Sequence, residues 1–156
     1  ITVMNPIYQK DIYSLRKNFR KLVEIRDCLS RRTEVLYDEI LPHPKFNGTR
    51  LQIYPKGGGF MTAHTDTKAI NNIRDVSSQY IQLVLLLTEK GTDYYNGGAF
   101  VQVGEKIIDS EHGSKSGDIL IYDGATMHGV SDIDPHESFD FKNLGGRVVA
   151  LATIFD

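Results

Sequence analysis

The chain has 156 residues, 40% of them hydrophobic and 24% charged, with a formal net charge of -2, which is one domain of ordinary size able to bury a substantial core. Residues 1–50 hold ten Lys and Arg against six acids (+4) and the remainder eight against fourteen (-6), yet the charges are interleaved and no dense basic run marks a nucleic-acid partner. No apolar run approaches the roughly 18 residues of a membrane span, so a membrane partner is not expected.

In chain order, residues 11 to about 40 come first. Ile12, Leu15, Phe19, Leu22, Ile25 and Leu29 recur every three or four residues with Arg16, Lys17, Arg20 and Lys21 between them. The spacing predicts an amphipathic helix, broken near Arg31 and Arg32 before Val35, Leu36 and Ile40. Within it lies Cys28, the only cysteine. Neither an internal disulfide nor a thiolate cluster can form, and a reducing, cytoplasmic setting is the simpler expectation. Nothing at the start resembles a signal peptide, although the chain opens on Ile1 and so bears on nothing upstream. The prolines and Asn-Gly of "LPHPKFNG" close the helical part.

Beyond Thr49 the period shortens. "RLQIYP", "FMTAHTD", "YIQLVLLLT", "GAFVQVG", "DILIYD", "HGVSDI" and "RVVALATIF" read as strands, separated by turn signals such as "PKGGG", "EKGTDYYNGG" and "HGSKSGD". A helical layer followed by seven or eight short strands predicts a mainly β fold, a sandwich or jelly roll buttressed by helices.

In "FMTAHTD", His64 and Asp66 stand two apart, so on an extended strand both leave the same face. Of the other histidines, His43, His112 and His136 fall in loops, whereas His128 follows the strand "DILIYD" at the edge of the core region. Two His and one carboxylate form the facial triad of non-haem Fe(II), which leaves open positions for a bidentate cosubstrate and O2. The plainer alternative is a hydrogen-bonded His-x-Asp pair without metal.

Tyr54, Gly57, Phe60, His64 and Asp66 in "YPKGGGFMTAHTD" resemble the Y-x-x-G-x-x-[YF]-x-x-x-H-x-D signature of the prolyl-4-hydroxylase-like branch of the Fe(II)/2-oxoglutarate-dependent oxygenases. Downstream, "LVLLLT", "YYNGGAFVQV" and "SKSGDILIYDGATMHGV" are similar to that branch in kind and order, and the resemblance spans about residues 50–154. It implies a single domain over 1–156, with residues 1–48 as helical support and 49–156 as a double-stranded β-helix, a cupin-like jelly roll with the metal at its mouth. His64, Asp66 and His128 would be the iron ligands. Arg147 would pair with the far carboxylate of 2-oxoglutarate, aided by Tyr54, with Gln82 at a polar position of the same pocket. An Arg fork suits a carboxylate; the competing readings are a surface-pairing Arg147 and a core Tyr54 with a satisfied hydroxyl.

The implied reaction couples decarboxylation of 2-oxoglutarate to succinate with hydroxylation of a C–H bond by O2. Related halogenases replace the carboxylate ligand with a small residue, so Asp66 favours hydroxylation. Three departures stand out. Eighteen residues, "GVSDIDPHESFDFKNLGG", separate His128 from Arg147, more than the family commonly has, Val149 stands where many members carry Ser or Thr, and prolyl hydroxylases usually have Lys at the basic position. These make a prolyl substrate less secure than the cofactor assignment.

That long loop and "NNIRDVSSQ" are expected to cover the mouth, with Arg74 and His136 as candidate substrate contacts. A small molecule, such as an amino acid or biosynthetic intermediate, is the expected substrate, with a peptidyl-proline as the alternative. A jelly-roll module that binds metal without oxidation remains the competing class, and Arg147 and Tyr54 are the residues that such a module would not need.

Overall fold

The computed structural model of the chain describes residues 1–30, 46–66 and 81–155. Strand β1 (Thr2–Met4) and helix α1 (Arg16–Leu29) precede eight further strands: β2 (Phe46–Pro55), β3 (Gly59–His64), β4 (Ile81–Leu86), β5 (Gly98–Val103), β6 (Lys106–Asp109), β7 (Ile119–Asp123), β8 (Met127–Ile133) and β9 (Gly146–Phe155). All seven strands read from the sequence are present. The short β1 and β6 are additional, each too brief to show a period of its own.

The strands form two antiparallel sheets, ordered β1-β2-β9-β4-β7 and β3-β8-β5-β6. Tyr54, Val84, Leu86 and Val149 of the first sheet pack with Val130 of the second, together with Tyr94 and Ile133, in one core. Alternation along β9 explains how a single strand serves two layers: Val149 faces this core, while Ala150 and Ala152 face α1 in a second cluster with Phe19, Leu22 and Val23. Small side chains at 150 and 152 let the helix approach the sheet.

The helix is shorter than its periodicity suggests. Asp11 accepts the amides of Leu15 at 3.0 Å and Arg16 at 3.3 Å, which starts the helix at Arg16. Ile12 therefore precedes it and is exposed, and Ile25 and Leu29 also face out. The helix's buried residues are Phe19, Leu22, Val23, Arg26 and Asp27. The Arg26 guanidinium reaches Asp27 Oδ1, Asn47 Oδ1 and the Ala152 carbonyl, tying the helix to β2 and β9. The expected helix break and the segment to residue 45 lie outside the described residues. Among the described residues no helix is long and apolar enough to cross a membrane.

The glycine-rich turn after β2 is held by the loop that follows β8. The Gly57 and Gly58 amides donate to the carbonyls of Asp134 and Ile133. Gly57 has φ +83°, and a Cβ there would lie 2.6 Å from the Phe139 amide nitrogen, so the close approach needs glycine. Asp134 organises the junction: its buried carboxylate accepts the amides of Asn96 at 2.7 Å and Tyr95 at 3.0 Å and faces Lys56 Nζ at 3.7 Å.

Burial alone would raise the Asp134 carboxyl, but the Asn96 and Tyr95 amides and the Lys56 charge outweigh it and hold it below its ordinary value. A lowered folded value means stability present above the unfolded value and lost as pH falls through the folded one. Asp134→Asn, which keeps the shape and removes the charge, should cost about 1–2 kcal/mol at neutral pH. Urea unfolding of the two proteins should show that gap constant above about pH 5 and closing as pH falls below about 4.

Candidate metal centre

β3 and β8 pair so that His64 lies directly opposite His128, with register shifts along the way that bend the ladder. The two imidazoles sit 4.4 Å apart between centroids. Just past the end of β3, the Asp66 amide donates to the Gly124 carbonyl at 2.9 Å, which turns its carboxylate back toward the pair. Ligand atoms of His64, Asp66 and His128 all fall within 4.8 Å of one another. His128 Nε2 and Asp66 Oδ2 are 3.8 Å apart, a gap one cation bridges at about 2.1 Å from each.

Each ring is oriented from behind. His64 Nδ1 lies 2.8 Å from the Thr62 carbonyl and His128 Nδ1 lies 2.8 Å from the Thr126 carbonyl. A carbonyl only accepts, so both Nδ1 atoms carry the proton and both Nε2 lone pairs face the shared space. Two imidazoles and one carboxylate are the donor set that suits a divalent first-row metal such as Fe(II).

Gln82, buried on β4, donates from Nε2 to Asp66 Oδ2 at 2.8 Å. Gln82 thus holds one oxygen of the candidate ligand Asp66. Gln82→Leu should weaken Fe(II) binding about tenfold, read by anaerobic metal titration, because Asp66 loses the donor that holds it.

Tyr122 pairs with Gln82 in register, and its ring lies tilted against that of His128, 4.7 Å between centroids. Burial raises its phenol, the Asp66 carboxylate raises it further and the Arg147 guanidinium opposes them. Tyr122 therefore lies within electrostatic reach of both the triad and a second polar group.

That second group is a buried ion pair. Arg147 opens β9 opposite Tyr54, and its guanidinium lies over the Tyr54 ring, 5.1 Å from the centroid. Arg147 Nε and Nη2 donate to Glu111 Oε1 at 2.7 and 2.6 Å. The other Glu111 oxygen accepts the Tyr94 hydroxyl. Burial and the Glu111 contact push the Tyr94 phenol up. Gly98, at φ +112°, leaves room for this carboxylate, since a Cβ there would come 2.7 Å from Glu111 Oε2. Arg147 is buried as expected, and the anion that makes its burial tolerable is internal.

Glu111 and Tyr94 escape a reading of the sequence because both sit in loop segments without periodicity. Arg50 escapes it too: it hydrogen-bonds Thr153 Oγ1 at 3.1 Å, and its charge reaches Tyr54 and Tyr122.

The register fixes where the loop after β8 begins. β8 runs from His128 at the triad to Ile133 opposite Gly59, so the chain leaves the triad before the loop begins. Five residues at about 3.3 Å each separate the ends. The loop closes on the glycine turn, and His136 within it is exposed. Arg74 and "NNIRDVSSQ" lie outside the described residues.

No protein-family model and no curated protein matches the chain. Among solved structures it is similar to AviO1 from Streptomyces viridochromogenes Tue57, with a TM-score of 0.57 and 12% sequence identity over 99% of this chain. The match covers 66% of AviO1, so the chain spans about two thirds of that protein's length. At this identity the likeness bears on the fold alone.

Proposed function

We propose that the chain is an Fe(II)- and 2-oxoglutarate-dependent dioxygenase that hydroxylates an unactivated C–H bond of a small molecule. The observation that carries this reading is the convergence of His64, Asp66 and His128, with both Nε2 atoms turned inward by backbone carbonyls. His64, Asp66 and His128 would hold the metal as a two-histidine, one-carboxylate set, the donor set of Fe(II) oxygenases that also take a cosubstrate and O2. The strand order supports a jelly-roll reading, since an early strand lies beside a late one in each sheet, β2 beside β9 and β3 beside β8.

Bound there, Fe(II) would supply the oxidative chemistry, with 2-oxoglutarate as the two-electron reductant of O2. The chain's part is positioning. His64, Asp66 and His128 hold the metal, Gln82 orients Asp66, and Arg147 over Tyr54 offers a cation to the cosubstrate's far carboxylate. The two apolar sheets exclude water between them.

Anaerobic titration of the Fe(II)-loaded protein with 2-oxoglutarate tests the reading through the weak visible charge-transfer band of the chelate. Its appearance, with succinate release in air, is the expected result. A metal-binding module without oxidation is the second reading. It is favoured by one observation: Glu111 already neutralises Arg147, so the burial of that arginine does not require a ligand. Iron binding with no band would select it.

A further inference from the structure

Glu111 grips Arg147 by one edge. A guanidinium carries its donors in a planar fork, and Glu111 Oε1 takes the side formed by Nε and Nη2. The end formed by Nη1 and the second Nη2 hydrogen is turned away from Glu111. Nη1 has no hydrogen-bond partner among the described residues, and it is not among the fully enclosed unpartnered polar atoms. Glu111 in turn is held through its other oxygen by Tyr94, and Gly98 gives it space. The arginine is thus immobilised on three sides: by the Tyr54 ring, by Glu111 and by the β9 backbone.

We propose that Glu111 is the positioning residue of the anion pocket, holding the side edge of Arg147 so that its end edge meets the carboxylate of a dicarboxylate cosubstrate. The inference rests on the oxygenase reading above. Glu111 exerts two opposed effects on an arriving anion. Its grip spares the rotamer entropy that a loose arginine loses on binding, while its charge repels the anion. The two effects can be separated by substitution. Glu111→Gln keeps an acceptor for Arg147 and a polar partner for Tyr94 but removes the charge; Glu111→Ala removes both.

Anaerobic calorimetry of 2-oxoglutarate binding to the Fe(II)-loaded proteins reads the difference, with Fe(II) affinity measured in each as a control. Glu111→Gln should bind 2-oxoglutarate as tightly as wild type or more tightly. Glu111→Ala should bind it about tenfold more weakly, with Fe(II) affinity unchanged. Tyr94→Phe keeps the ring and drops the donor that fixes Glu111; it should weaken binding about threefold, and it carries the test if Glu111→Ala does not fold. Equal or tighter binding by Glu111→Ala overturns the proposal, because Glu111 then only competes with the ligand. A loss in Glu111→Gln as large as in Glu111→Ala also overturns it. In both cases the oxygenase reading survives. If no variant and no wild-type protein binds 2-oxoglutarate while iron still binds, the oxygenase reading and this proposal fall together.

Discussion

His128→Ala should abolish tight Fe(II) binding and leave the fold standing. His128 is one of three candidate ligands, and its Nε2 faces Asp66 Oδ2 across 3.8 Å. Loss of a supporting hydrogen bond in a metal site costs roughly 10–100-fold in affinity, and loss of a ligand should exceed that. The ring is only a small part of the inner surface, wedged between His64 and Tyr122, so the unfolding midpoint in urea should move little. Competition with a chromogenic Fe(II) chelator under nitrogen measures the affinity. Wild-type affinity in the variant would place the metal elsewhere and end the triad assignment. The adjacent His64 gives a control, because His64→Ala should fail in the same way while keeping His128.

Arg147→Ala should be the most destabilising single change in the molecule's interior. It removes the cation from a Glu111 side chain that is only 1% exposed, and stranding one member of a buried pair costs about 3–5 kcal/mol. The double variant Arg147→Met with Glu111→Gln replaces the ion pair by a thioether and an amide of similar bulk. It should recover most of that loss, to within about 1–2 kcal/mol of wild type, since a buried pair is worth little beyond its own desolvation. Urea unfolding of wild type, Arg147→Met, Glu111→Gln and the double variant gives the coupling directly. The double variant should still fail to bind 2-oxoglutarate, which separates the loss of the anion site from loss of the fold. Recovery of stability together with wild-type cosubstrate binding would remove Arg147 from the site.

The triad was legible in the sequence because its chemistry is local. His64 and Asp66 share a strand face by the period of two, and His128 was the one remaining histidine next to a strong strand. Position 82 stood out through the family resemblance as a polar position, and in the structure its side chain donates to Asp66. Arg147 was legible for the same reason, as a charge opening an apolar strand, yet its partner was not. Glu111 lies 36 residues away in a loop, and no periodicity connects the two.

The helix shows the same limit from another side. Six apolar residues at helical spacing gave a stripe, but only the packing against Ala150 and Ala152 decided that Phe19, Leu22 and Val23 face inward while Ile25 and Leu29 do not. The stripe is broad, and a sheet covers only part of it.

What the sequence determined by itself is the set of strands, their alternation and the identity of three metal-ligand candidates, because side-chain direction along a strand depends on nothing beyond that strand. The tertiary structure decided the pairing of His64 with His128, the capture of Arg147 by Glu111 and the placing of the loop after β8 at the end away from the triad. Each of those depends on the register between strands distant in sequence, and that register is set by how the two sheets bury their shared core.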